Sequence, residues 1–222
     1  MTWLLQTFLR RYARGNAHAL TPHIRGRRLL DLGAGEGWVG AAVRALTPAW
    51  TCAADIGPFR LSKDPYVVYD GKRLPFGEGT FDTTLISLVL HHCATPEPVI
   101  AEAVRVTRTR LLVVESVYRN RLERFWLNLL DARLNRHRHG GRMPVPLNFK
   151  SPEEWRMLFE SHGLAVVTTQ WLGSCVERLF HHPLLFVLDK SPLCTVSSVG
   201  LDALHPGGME NSDDGHAIDN LA

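Results

Sequence analysis

The stretch Arg28-Leu29-Leu30-Asp31-Leu32-Gly33-Ala34-Gly35-Glu36-Gly37-Trp38 constrains the fold of this chain more than any other. Leu29, Leu30 and Leu32 suit a strand covered on both faces. Glycines at 33, 35 and 37 let the backbone turn sharply and let a ligand approach closely, because no Cβ intervenes. A helix opening at Trp38 points its free N–H groups into that turn. Two registers overlap here. Gly35, Gly37 and Gly40 match the dinucleotide pattern G-x-G-x-x-G, whereas Asp31, Gly33, Gly35 and Gly37 match D-x-G-x-G-x-G. A pyrophosphate favours bare N–H donors at a helix end, and Glu36 in the turn opposes it. A ligand with cationic groups gains from Asp31 and Glu36. An ordinary strand-to-helix turn uses the same residue types, so the loop alone does not decide.

The downstream blocks add weight. Ala49–Asp55 reads as a second strand ending in an acid able to accept hydrogen bonds from both ribose hydroxyls, or to cap the next turn. Tyr66-Val67-Val68-Tyr69-Asp70-Gly71 is a third β-rich run. Leu74-Pro75-Phe76 and Phe81-Asp82 follow, then a fourth strand over Thr83–Leu90 and the pair His91-His92. In this order the blocks resemble class I S-adenosylmethionine-dependent methyltransferases of the small-molecule, methyltransferase type 11-like kind that includes quinone-biosynthesis enzymes. The resemblance covers roughly residues 25 to 190. It implies an α/β, Rossmann-like, seven-stranded and mostly parallel sheet with an antiparallel edge strand and helices on both faces. It also implies S-adenosyl-L-methionine as cofactor, held by Asp31, Gly33, Ala34, Gly35 and Gly37 at the loop. Asp55, Ile56 and Ser87 join them, with Asp70 facing the adenine amino group and Gly71 lining the adenine pocket.

The ligands of parallel sheets bind at the carboxyl ends of the strands. His91 and His92 leave the fourth strand there. One of them, His92 in preference, is expected to act as a base or to orient the methyl acceptor, since histidine titrates near neutral pH. Shaping of the pocket floor is the plainer role for both. No Asn/Asp-Pro-Pro-aromatic signature is present, with Ser87-Leu88-Val89-Leu90 in its place. This points to oxygen or carbon of a small, aromatic or lipophilic acceptor. Two alternatives stay open. An NAD-binding oxidoreductase accounts for the loop and Asp55 but not for the later blocks. A catalytically silent S-adenosylmethionine-binding regulator is suggested by the short link at residues 56–65, where the family has a full helix.

The chain divides into an N-terminal amphipathic helix or lid (1–24), a methyltransferase domain (25–190) with a basic amphipathic insertion (118–146), and an acidic tail (191–222). Leu4, Leu5, Phe8, Leu9 and Tyr12 mark one face of the first helix. Thr95 is the expected N-cap of the helix after His92, with Pro96 in its first turn. Arg108-Thr109-Arg110 is expected as a turn before a fifth strand at Leu111–Val117. Ser151-Pro152-Glu153-Glu154 reads as a capping box, with Trp155, Leu158 and Phe159 on the buried face of the helix it opens. Strands at Leu164–Trp171 and Leu184–Leu188 complete the sheet.

In the insertion, Leu122, Phe125, Trp126, Leu129, Leu130 and Leu134 fall at helical spacing among seven arginines. Packed down, that helix is a lid with solvated arginines. The functional readings are a pocket for an anionic substrate, or docking on an anionic membrane surface that presents a lipid-like acceptor. Nucleic acid is disfavoured, because no aromatic-interleaved motif accompanies the basic residues. The chain carries a net charge of +3. The tail holds five carboxylates and no lysine or arginine, so it is expected to be disordered beside a basic body. Four cysteines without C-x-x-C pairing suggest a reducing, cytoplasmic setting. The sequence neighbours of His137, His139, His181 and His182 offer no metal-ligand spacing, so no metal is expected.

Overall fold

The computed structural model describes residues 3–135, 146–173 and 182–191. The acidic tail beyond Ser191 lies outside the described residues, as do His137, His139 and His181. Five helices and seven strands are described: α1 Trp3–Leu20, β1 Arg28–Leu32, α2 Trp38–Leu46, β2 Trp50–Asp55, β3 Tyr66–Val68, β4 Phe81–Ser87, α3 Glu97–Val106, β5 Thr107–Ser116, α4 Arg121–Asn135, α5 Pro152–Ser161, β6 Leu164–Trp171 and β7 Pro183–Lys190. They build one sheet in the order β3-β2-β1-β4-β5-β7-β6. The first five strands run parallel, and β7 is antiparallel to both β5 and β6.

Apolar runs in the strands follow from burial on both faces. Leu30, Leu32, Leu111, Val113, Phe186 and Leu188 point toward Ile100, Ala103 and Val106 of α3 and Trp155 and Phe159 of α5. Alternate residues Leu29, Leu112, Val114, Leu185 and Val187 meet Ala17 and Leu20 of α1 and Val43 of α2 on the other face. The C-terminal half of α1 is thus part of the core, buried along Ala13, Asn16, Ala17 and Leu20. Leu9 and Tyr12 are half-buried on the same side; the side chains of Leu4, Leu5 and Phe8 lie outside the described set.

Three local expectations change. Strand β4 stops at Ser87 rather than Leu90, because Leu88 takes a left-handed φ of 57° and turns the chain into a 3-10 turn at Leu90–His92. Thr95 does not cap α3; Pro96 holds the N-cap position without a side-chain cap bond. Residues 108–110 are strand, not turn. Thr107 Oγ1 donates to Ala103 O at the helix end, Thr109 Oγ1 donates to Asp82 O, and Arg110 makes a bidentate pair with Asp189 at 2.7 and 2.8 Å across to β7. These side-chain bonds extend the ladder into a stretch whose composition reads as loop.

Helix α4 presents its apolar stripe outward. Leu122, Phe125, Trp126 and Leu129 are 66%, 58%, 50% and 46% exposed, while Leu127 is the buried contact on the opposite side. Arg121, Arg124 and Arg133 are exposed beside the stripe.

Candidate active site

The carboxyl ends of β1, β2 and β4 meet at the glycine loop. Gly33, Gly35 and Gly37 have φ of 72°, 54° and 80°, a region that costs glycine nothing. A Cβ on Gly33 would strike the Val89 side chain, and one on Gly37 would strike Ser62. The loop is therefore pressed against the turn after β4 on one side and the 56–65 link on the other. Gly35 alone of the three faces open space.

Backbone bonds hold this shape. Gly33 and Ala34 both donate to Ala54 O, and Gly37 donates to Ala34 O. The Asp55 carboxylate takes Gly35 N–H on Oδ2 and Ile56 N–H on Oδ1, each at 2.7 Å. Tyr66 Oη donates toward Gly35 O and Gly57 O at 3.1 and 2.9 Å. Leu61 and Ser62 donate to Glu36 O. The short link thus folds back onto the loop, and Asp64 within it pairs with Arg44 of α2 at 2.5 Å.

Asp31 is buried beneath the loop, where its Oδ2 accepts Gly40 N–H at 2.9 Å. Burial raises its pKa to about 7, with a smaller push from Asp55. A Cβ on Gly40 would come within 2.7 Å of that oxygen. Gly40 is therefore a packing residue, which accounts for it without the dinucleotide register. Glu36 is also buried in the turn. Asp70 is exposed and caps its own turn, its Oδ1 accepting Lys72 and Arg73 N–H groups that hold its carboxyl below the usual range. Gly71 follows at φ 77°, its Cβ direction 3.3 Å from Ile56.

Beyond Ser87, half-buried at the end of β4, the chain is organised by a residue absent from the sequence reading. Glu115 on β5 is fully buried. Its Oε1 accepts Val89 and Leu90 N–H at 3.0 and 2.6 Å, and its Oε2 lies 2.5 Å from His91 Nδ1. His91 is buried, stacked on Phe149 with ring centroids 4.7 Å apart, and His92 lies half-buried at 4.1 Å. The Nε2 of His91 is 3.8 Å from Asp131 Oδ1 on α4. Burial opposes charge on His91, but the Glu115 carboxylate, its hydrogen bond and Asp131 outweigh it and raise the pKa. Asn148 secures the turn by donating to Cys93 O at 3.1 Å and, from its backbone, to His91 O.

The fold thus gathers Asp31, Gly33, Ala34, Gly35, Gly37 and Asp55 around one loop. It places Asp70, Gly71 and Ile56 along one flank and Ser87, His91 and His92 along the other. Glu115, Asp131, Tyr66 and Asn148 were missed. A signal existed for Glu115, an acid inside the apolar run Leu111–Val117; none existed for the others.

A family model described as a methyltransferase domain matches residues 30–110, about a third of the chain. Demethylmenaquinone methyltransferase of Mycobacterium bovis is 39% identical over 97 residues, 40% of this chain and 41% of that protein. The matched segment therefore spans well under half the length of these curated relatives. Among solved structures, a Haloferax volcanii putative methyltransferase in complex with the Trm112 methyltransferase activator superposes with a TM-score of 0.64 at 18% identity, covering 82% of this chain and 91% of that one. The mitomycin 7-O-methyltransferase MmcR gives a TM-score of 0.63 at 17% identity, over 82% and 54%. These two likenesses concern the fold. Sheet order, glycine loop and family match together define a class I S-adenosylmethionine-dependent methyltransferase domain. Residues 30–110 carry the family match, and the cofactor of such domains is S-adenosyl-L-methionine. The donor set fits that cofactor: open space at Gly35, the Asp55 carboxylate next to it, and buried acid below the loop.

Proposed function

We propose that the protein transfers a methyl group from S-adenosylmethionine to an oxygen or carbon of a small, lipophilic or aromatic acceptor. The observation that carries this reading is the convergence of the open Gly35 face, Asp55 and the His91-His92 turn at the carboxyl ends of adjacent strands. When bound, the cofactor supplies a methyl group activated on a sulfonium. Asp55 retains acceptor lone pairs for the ribose hydroxyls while it braces the loop. Asp31 and Glu36 put negative charge beneath the loop, where an ammonium gains from it. Ile56, Gly71 and Asp70 flank the adenine, and Ser87 lines the floor between the two halves. His92, the more accessible histidine, orients the acceptor or takes its proton, and His91 with Glu115 holds the turn in place. Alignment and exclusion of water supply much of the rate in such a displacement.

Two features support a lipophilic acceptor. The relatives bear the name demethylmenaquinone methyltransferase. The outward stripe of α4, flanked by arginines, suits an anionic bilayer surface on which the acceptor resides. The contact proposed is a peripheral one, at a cytoplasmic face; no described helix is long and apolar enough to cross a membrane.

Calorimetry with S-adenosylmethionine, its demethylated product and NAD tests the cofactor. Tight NAD binding with no response to either sulfur nucleotide would sink the proposal. Affinity for S-adenosylmethionine should fall as pH drops through about 7, where Asp31 takes up a proton, and Asp31→Asn should flatten that dependence. Incubation with metabolite and lipid extracts should yield single-methyl mass gains. Binding without any gain would instead identify a silent cofactor-binding regulator.

A further inference from the structure

We propose that His91, His92 and Asp131 form a site for one divalent transition-metal ion, of the class of Zn²⁺, at the acceptor end of the cleft. Their ligand atoms all lie within 4.8 Å of one another, a grouping that no other side chains make among the described residues. The two histidines come from the turn after β4 and the aspartate from α4, 39 positions later.

The key separation is 3.8 Å between His91 Nε2 and Asp131 Oδ1. A direct N–H···O bond spans about 2.7–3.2 Å, so the pair sits too far apart for one. Two ligands that each bind one ion at about 2.0–2.2 Å stand roughly 3.3–3.5 Å apart in tetrahedral geometry. A few tenths of an ångström of adjustment therefore brings this pair into range, and the half-buried His92 ring, whose ligand atom lies within 4.8 Å of the others, swings in to complete the set. The tautomer is arranged for this. With Nδ1–H donated to Glu115 at 2.5 Å, His91 turns Nε2 toward Asp131, where an ion can replace the Nε2 proton. A carboxylate behind a histidine in this way is the usual outer support of a metal ligand, raising its basicity and fixing its ring. Glu115 is itself immobilised by the Val89 and Leu90 N–H groups, and Phe149 stacks on the ring from the side. The first ligand is thus rigid before any ion arrives.

Two imidazoles and one carboxylate favour zinc, iron, cobalt or nickel over calcium and magnesium. Three protein ligands also leave a coordination position open, the arrangement of catalytic rather than structural sites. His92 is half-buried and Asp131 is partly exposed, so the fourth position faces the accessible side. There an acceptor hydroxyl can coordinate and release its proton to solvent water at lower pH than it would unaided. In the loaded protein, activation then passes from proton abstraction by His92 to polarisation of the acceptor oxygen by the ion. This role rests on the methyl-transfer reading, whereas the binding itself does not.

Titrating the chelator-treated full chain with Zn²⁺ in a calorimeter, and with Co²⁺ by visible absorption, tests the site. The expected result is one ion per chain, a higher melting temperature with Zn²⁺, and cobalt bands of a nitrogen- and oxygen-ligated ion. Asp131→Asn and His92→Ala should each weaken binding by at least about tenfold while circular dichroism stays native. His18→Ala, at an exposed histidine on α1, should change nothing. Absence of stoichiometric binding, or binding unaltered in both Asp131→Asn and His92→Ala, overturns the proposal. Because cofactor binding is measured separately, a protein that binds S-adenosylmethionine but no metal refutes only the metal site. One that binds metal but no sulfur nucleotide refutes only the methyl-transfer reading.

Discussion

Helices α4 and α5 carry nearly the same sequence message and meet opposite fates. Each places large apolar residues at helical spacing, Leu122, Phe125, Trp126 and Leu129 in α4 and Trp155, Leu158 and Phe159 in α5. Each starts on a comparable cap. Ser151 Oγ accepts Glu154 N–H while Glu154 reaches back to Ser151 N–H. Asn120 Oδ1 accepts Glu123 N–H while Glu123 reaches back to Arg119 N–H. Yet Trp155 and Phe159 are fully buried and the α4 stripe is half to two-thirds exposed. The difference is the surface each helix meets. A bridge between Val117 and Lys150 sets the entry to α5, and Gly163 turns its exit directly into β6. This lays α5 on the sheet beside α3, and those two helices cover that face. Helix α4 leaves from the end of β5 as an excursion and seats only its Leu127 side. Amphipathic spacing specifies a stripe; it does not specify a partner.

The sharpest way to break this contrast is truncation. Trp155→Ala should cost about 3–5 kcal/mol, read as a shifted urea midpoint, whereas Trp126→Ala should stay within about 0.5 kcal/mol. Equal costs would mean that the α4 stripe is buried in solution. A second measurement addresses what the exposed stripe is for. Phe125→Asp with Trp126→Asp should lower binding to phosphatidylglycerol vesicles by at least about a hundredfold, since each buried aromatic contributes roughly 1.5–3 kcal/mol. Unchanged vesicle binding would remove the membrane reading.

Smaller effects should be shared by the two helices. Ser151→Ala and Asn120→Ala should each cost about 1 kcal/mol, and a large inequality would show that the caps are not equivalent. The smallest effect concerns acid. Hydrogen bonding to Ser151 holds the Glu154 carboxyl below its ordinary value of 4.5. A depressed carboxyl stabilises the fold above its unfolded pKa, and that contribution is lost as pH falls from about 4.5 toward the folded value. In Glu123, burial opposes the shift, but Arg119 outweighs it and lowers the pKa likewise. Denaturation midpoints should therefore slip below pH 4.5, less steeply in Glu154→Gln.

Much of the sheet was legible because buried strands and glycine turns carry their reasons locally. The β1 run, the loop and the capping box at Ser151 each depend on residues within a few positions. Expectations failed where a distant partner decided the outcome. Residues 108–110 become strand through Asp82 and Asp189. Leu88 ends β4 through a left-handed turn where a hydrophobic run reads as strand. The 56–65 link lacks a helix, as its shortness indicates, but its closure on Glu36 O through Leu61 and Ser62 N–H required the loop to be in place.

The sequence by itself determined the glycine loop, the acids that follow successive strands, and hence the cofactor class, because those features depend on backbone freedom and strand order. Only the tertiary structure decided what surrounds the histidines and which way α4 faces. Glu115 reaches His91 from a neighbouring strand, and Asp131 reaches it from an excursion helix. Neither contact has a spacing in the chain, since each arises from packing elements whose separation along the sequence carries no information about their distance in space.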